Sequence, residues 1–187
     1  SALLVDTTTM EARAYLGSAD FWDVSIQGQV DGIQMRRSPG SSLKPFIYGL
    51  GLEQGLIHPN TLLKDTKASF GAYSPKNFDR GYSGPLSATE ALRRSRNVPA
   101  VSLMAMLKHP TFYTFLQRGG IELSHPSSHY GLSLALGGAE VSLEELVRLY
   151  SALPNRGHLR SLVYTKADAD STDSRRILTP EAAFLTL

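Results

Sequence analysis

The chain has 187 residues, 42% of them hydrophobic and 19% charged, with 19 Lys and Arg against 17 Asp and Glu. That composition belongs to a globular protein with a core and excludes a disordered or low-complexity one, and the net charge of +2 gives no warrant for a nucleic-acid partner. No cysteine occurs, which excludes disulfides, thiolate metal sites and Cys nucleophiles together.

The longest nearly uncharged stretches, such as Tyr130–Ala139, fall well short of the ~20 apolar residues a spanning helix needs. No charged start followed by an apolar core marks a signal peptide. Any membrane anchor or sorting signal is expected outside these residues.

Apolar runs at residues 3–5 and 12–16 flank Asp6-Thr7-Thr8-Thr9, the pattern of an antiparallel hairpin with a slightly long loop. Residues 17–39 are polar and aperiodic, and predict an ordered loop around Phe21 and Trp22. Residues 45–54 have helical spacing at Phe46, Ile47 and Leu50 and stop at Gly55, and residues 58–85 read as irregular. Ser87 and Glu90 have capping-box spacing, as do Ser142 and Glu145, where Val141 and Leu146 add a hydrophobic staple. Pro99 suits a helix start and disfavours helical angles at Val98, so Ser95–Val98 is expected as a break between two helices. His109-Pro110 is expected to open a helix that ends at Gly119-Gly120, and Thr179-Pro180 to open a last one.

Several patterns carry little chemistry. Gly81-Tyr82-Ser83-Gly84-Pro85 has Pro in the final position of a nucleophile elbow and no strand before it. His125 and His129 are separated by Pro126 and two serines, which predicts a loop and not a metal-binding helix face. Arg93, Arg94 and Arg96 are expected on a solvated helix face, and Phe112, Tyr113, Phe115 and Leu116 in the core.

The chemistry concentrates in Arg37-Ser38-Pro39-Gly40-Ser41-Ser42-Leu43-Lys44-Pro45-Phe46. Pro39-Gly40 breaks the chain, and Pro45 is tolerated only near a first helical turn. Ser41 is therefore placed at a helix N-terminus, where free amides favour negative charge on its oxygen, with Lys44 on the same face. A lysine held there and partly desolvated can take the hydroxyl proton. The alternative is that Ser41 simply caps the helix, and Thr61-Leu62-Leu63-Lys64 repeats the spacing elsewhere. A second box, Ser95-Arg96-Asn97, lies in the expected helix break; its serine can relay a proton and its amide can bind a peptide group, or both can merely cap the next helix.

Together these segments resemble the transpeptidase domain of class A penicillin-binding proteins. The likeness lies in RSPGSSLKPFIY (Arg37 to Tyr48), ALRRSRNVPAV (Ala91 to Val101), the opening LLVDTTTMEARAYLGSADF, YSPKNFD (Tyr73 to Asp79) and LALGGA (Leu134 to Ala139), and covers essentially the whole chain. It implies an α+β, penicillin-binding-protein/β-lactamase-like fold, mainly helical, with an N-terminal β-hairpin. It also implies a serine D,D-transpeptidase of peptidoglycan synthesis, with Ser41 as nucleophile, Lys44 as general base, Ser95 as proton relay and Asn97 as the group orienting the donor peptide. The partners implied are D-Ala-D-Ala stem peptides, amine acceptors and β-lactams, with no metal or organic cofactor, on the periplasmic face of the inner membrane. The family's Lys-Thr-Gly box occurs nowhere in the 187 residues. Residues 1–187 are accordingly expected to form a partial domain, lacking the later strands and acylating weakly. A β-lactamase-like hydrolase, and a β-lactam sensor or non-catalytic scaffold module, are the rival readings.

Overall fold

The computed structural model describes residues 1–168 and 173–187. Its centre is α1 (Lys44–Glu53), in which Lys44, Phe46, Ile47, Tyr48, Gly49, Leu50 and Gly51 are all buried. A helix apolar on every side is an interior one, and its glycines permit the close packing this requires. A Cβ on Gly51 would meet Leu103 of α3 (Asn97–Met106) at 3.0 Å, and one on Gly49 would meet Thr186 of α7 (Pro180–Thr186) at 3.0 Å. Phe46 packs its ring against Phe115 of α4 (Phe112–Arg118) at 6.0 Å and edge-on against Tyr150 of α6 (Leu143–Ser151) at 5.0 Å. The cap of α6 forms both bonds of the expected box: Glu145 N donates to Ser142 Oγ and Ser142 N to Glu145 Oε2. At α2 (Ala88–Arg93) only the Ser87 half forms, and the Glu90 carboxylate faces Arg93 instead.

Among the described residues, strands occur as three separate antiparallel pairs. β1 (Ala2–Val5) and β2 (Ala12–Leu16) form the expected hairpin, with a register slip between Leu4 and Val5. β3 (Leu62–Asp65) pairs with β4 (Gly84–Ser87), and β5 (His158–Arg160) with β6 (Ser174–Arg176). The segment 58–85 is thus not wholly irregular: β3 closes it against β4, with Pro85 standing opposite Lys64. Thr61 and Lys64 belong to this strand region and not to a helix, so their spacing does not place them on one face.

Two helix starts also differ from expectation. α3 begins at Asn97, with Val98 inside it, so the break is only Arg94–Arg96. Pro99 sacrifices nothing in the first turn, whose amides have no intrahelical partner, and Asn77 Oδ1 accepts from the amides of Asn97 (2.8 Å) and Val98 (3.4 Å). α4 starts after Thr111, whose hydroxyl caps it, and not at Pro110. His129 lies in the four-residue helix α5 (Ser127–Tyr130), just before the 3₁₀ segment Gly131–Leu136.

The loop of the first hairpin is clasped to residues 155–163. Val163 N donates to Met10 O and Ala12 N to Val163 O, both at 2.9 Å, while Asn155 Nδ2 reaches Thr7 O at 2.8 Å over fully buried Met10. Residues 17–32 form an Ω-loop closed by Gly32 N to Gly17 O and held inside by the Asp20 and Asp23 side chains. Among the described residues no helix is long and apolar enough to cross a membrane.

Candidate active site

Ser41 lies in a 3₁₀ turn, Gly40–Leu43, that runs directly into α1, its carbonyl accepting the amide of Lys44. Gly40 supplies the left-handed φ of +55° on which the chain turns in. The turn is gripped from two sides. Tyr150 Oη donates to Ser42 O at 2.6 Å, and Ser38 Oγ to Gly137 O at 2.7 Å. Arg37 and Val141 exchange backbone bonds of 2.9 Å, which brings Leu136-Gly137-Gly138 alongside. The Ser41 hydroxyl is exposed and, among the described residues, bonded to nothing, so it is not spent on a helix cap.

Lys44, one turn on, is 1% exposed. Its Nζ donates to Ser95 O (2.6 Å), Ser95 Oγ (3.1 Å) and Asn97 Oδ1 (2.6 Å). The structure thus brings the two boxes together through the lysine, and Ser41 joins them as the residue one turn before it. Ser95 presents two acceptors because its backbone is left-handed, at φ +52°. That is uncommon for a residue with a side chain and is sustained only by surrounding structure. Asn97 is oriented by its other amide atom, Nδ2, which donates to Lys76 O at 2.7 Å. Burial first, then the positive charge of Arg96, lowers the Lys44 ammonium to about 8. Above about pH 8 the amine is therefore mostly neutral and free to accept a proton.

Beneath this turn lies a polar group that sequence reasoning missed. Arg96 is not on a solvated face, as expected with Arg93 and Arg94. Its side chain is 7% exposed, and it donates from Nε to buried Asp65 (2.7 Å), from Nη1 to Asp79 (2.8 Å) and from Nη2 to Gly81 O (2.6 Å). Asp65 also accepts from Asn77 Nδ2 (2.7 Å) and Ser83 N (2.9 Å). Asn77 belongs to the YSPKNFD stretch, the one available signal, whereas nothing local marks Asp65. A cleft of about 350 Å³ beside Phe21 and Val30 shares no residue with this group. Among the described residues no cluster of three or more metal-ligating side chains occurs.

Residues 1–181 match the family model described as the penicillin binding protein transpeptidase domain. The chain is 45% identical over 156 residues to penicillin-binding protein 1C of Escherichia coli K12, covering 83% of this chain and 20% of that protein. It is 32% identical over 147 residues to penicillin-binding protein 1F of Bacillus subtilis 168, with coverage of 78% and 20%. The chain therefore spans about a fifth of the length of these curated relatives. Its fold matches a peptidoglycan glycosyltransferase from Burkholderia ambifaria at a TM-score of 0.76 and 19% identity, covering 98% of this chain and 62% of that one. It also matches the apo TP domain of Burkholderia pseudomallei penicillin-binding protein 3 at 0.73 and 19%, covering 98% and 59%.

Proposed function

Because the chain belongs to the penicillin-binding-protein transpeptidase family, we propose that it carries the acylating machinery of a serine D,D-transpeptidase that cross-links peptidoglycan. One observation carries this reading: a buried lysine amine, one turn after an exposed serine, bonded to a second serine hydroxyl and an asparagine.

Ser41 Oγ attacks the carbonyl of the D-Ala-D-Ala peptide bond while its proton passes to the neutral Lys44 amine. Collapse of the tetrahedral adduct breaks the C–N bond. Lys44 returns the proton through Ser95 Oγ to the departing D-Ala amine, leaving an ester on Ser41. An acceptor amine then attacks the ester, loses its proton along the same path and restores the Ser41 hydroxyl. Asn97 steadies the lysine through Oδ1 and, on this reading, orients the donor peptide. β-Lactams acylate Ser41 as trapped analogues of the donor. The reaction needs no metal or organic cofactor, and its stem-peptide substrates place it on the periplasmic side of the inner membrane. Residues 1–187 form a partial domain on this reading, because the Lys-Thr-Gly strand supplies an oxyanion donor. Without it, acylation is expected to be about 10²–10³ slower.

The test is covalent labelling by a fluorescent penicillin, on this chain and on one continued through a Lys-Thr-Gly strand. The longer chain should label rapidly and Ser41→Ala should not label at all. Labelling that survives Ser41→Ala removes the mechanism. Rapid release of penicilloate would indicate a hydrolase instead, and durable acylation without cross-linked product a sensor.

A further inference from the structure

Arg96 sits between the two residues that hold Lys44, yet all three of its bonds point away from the lysine. They go to Asp65 on β3 and to Asp79 and Gly81 on the loop that follows. Asp65 is 0% exposed and is tied in turn to Asn77, whose Oδ1 caps the first amides of α3. The guanidinium fork therefore anchors the peptide that carries Ser95 at φ +52° to a buried carboxylate. A bidentate or three-point guanidinium bond fixes orientation as well as position, which a lysine point charge cannot do.

We propose that Arg96, held by Asp65 and Asp79, is a positioning residue for the lysine base: its fork fixes the turn that presents two acceptors to Lys44. The proposal rests on Lys44 acting as the base. The charged and titratable groups on the elements around Lys44 include Arg96 on the turn, Lys64 and Asp65 on β3, Lys76 and Asp79 on the loop, Tyr48 and Glu53 on α1, and Glu144, Glu145, Arg148 and Tyr150 on α6. Of these, Arg96 is the cation that depresses Lys44, after burial itself. Asp79 is 58% exposed and touches Arg96 from the solvent side, so it can be neutralised without opening the core.

The experiment is a pH titration of the Lys44 Cε resonance in the 187-residue chain labelled with ¹³C-lysine, assigned by its loss in Lys44→Met. Arg96→Met should move the midpoint upward by about one pH unit. Asp79→Asn should move it the other way, because it removes a negative charge and leaves the cation. Arg96→Lys should keep the midpoint nearer the starting value. In a chain continued through Lys-Thr-Gly, that variant should also lower the plateau rate of penicillin acylation by about tenfold, because charge is retained and the fork is lost. Midpoints that stay fixed, or that shift in the same direction in Arg96→Met and Asp79→Asn, overturn the electrostatic role. A full-rate Arg96→Lys overturns the positioning role. Should Arg96→Met fail to fold, the downward shift in Asp79→Asn decides alone. Absence of labelling at Ser41 in the unsubstituted longer chain would sink the proposed function while leaving the titration result intact, so the two failures are separable.

Discussion

Gly137 lies directly against the backbone of Gly40: a Cβ at Gly137 would come within 2.5 Å of Gly40 N and 2.7 Å of its Cα. The Gly137 φ of +88° is also one that side chains rarely adopt. Gly137→Ala must therefore displace the turn that carries Ser41. It is expected to cost about 1–3 kcal/mol in urea unfolding and most of the penicillin labelling. Gly131→Ala, at φ +49° with nothing within 4 Å, is the control. It pays for backbone strain alone and should label normally.

The lysine gives a pH prediction with a definite sign. The ordinary ammonium value is 10.5 and the folded chain holds Lys44 at about 8. Between those values the unfolded chain keeps a proton that the folded chain has released, so stability gains with rising pH across that window and not below it. Urea midpoints measured from pH 7 to 10 should climb more steeply for the unsubstituted chain than for Lys44→Met. Parallel curves would mean that Lys44 titrates normally. On the kinetic side, acylation in a chain bearing Lys-Thr-Gly should rise about tenfold per pH unit up to about 8 and then level. Lys44→Arg should be slow at every pH, since a guanidinium keeps its proton.

Asn77 makes four bonds at the junction of loop, strand and helix, to Asp65, Gly81 and the amides of Asn97 and Val98. Truncation to Ala leaves several buried groups unpaired at once, each costing about 1–3 kcal/mol. Asn77→Ala should accordingly lower stability more than Asn97→Ala, which frees only Lys44 Nζ and Lys76 O, while Asn97→Ala should slow acylation more than its smaller loss of stability explains. A thermal melt paired with a labelling time course separates the two.

Thr61→Ala should leave labelling unchanged, although its Ser-x-x-Lys-like spacing mimics the first box. Its hydroxyl accepts from His58 N at 2.8 Å, so a loss of about 0.5–1.5 kcal/mol in urea unfolding is the only expected effect.

The contrast between these positions explains what could be read in advance. Ser41 and Lys44 were legible because the residues flanking them, RSPGSSLKPFIY, add to a spacing that by itself recurs at Thr61 and Lys64. The β1–β2 hairpin and the α6 cap were legible for the same reason, being local patterns. Asp65 was not: it reaches Arg96 across 31 residues, and β3 shows neither alternation nor flanking signals to mark it as a strand. Arg96 looked like Arg93 and Arg94 because burial of a guanidinium depends on where its carboxylates come from. β6, exposed at all three residues, carries no apolar signal whatever.

The clasp between Met10 and Val163 has a consequence in time. Thr7 and Asn155 stand 148 residues apart in the chain, and at roughly 5–20 residues per second about 7–30 s separate their emergence from a ribosome. Throughout that interval β1 and β2 have only each other and the loop that follows them, to which Tyr15 donates at Asp31, and a two-stranded hairpin is marginal in water. The hairpin is thus made well before the segment that clasps it, and during that wait it is open to chaperones and proteases.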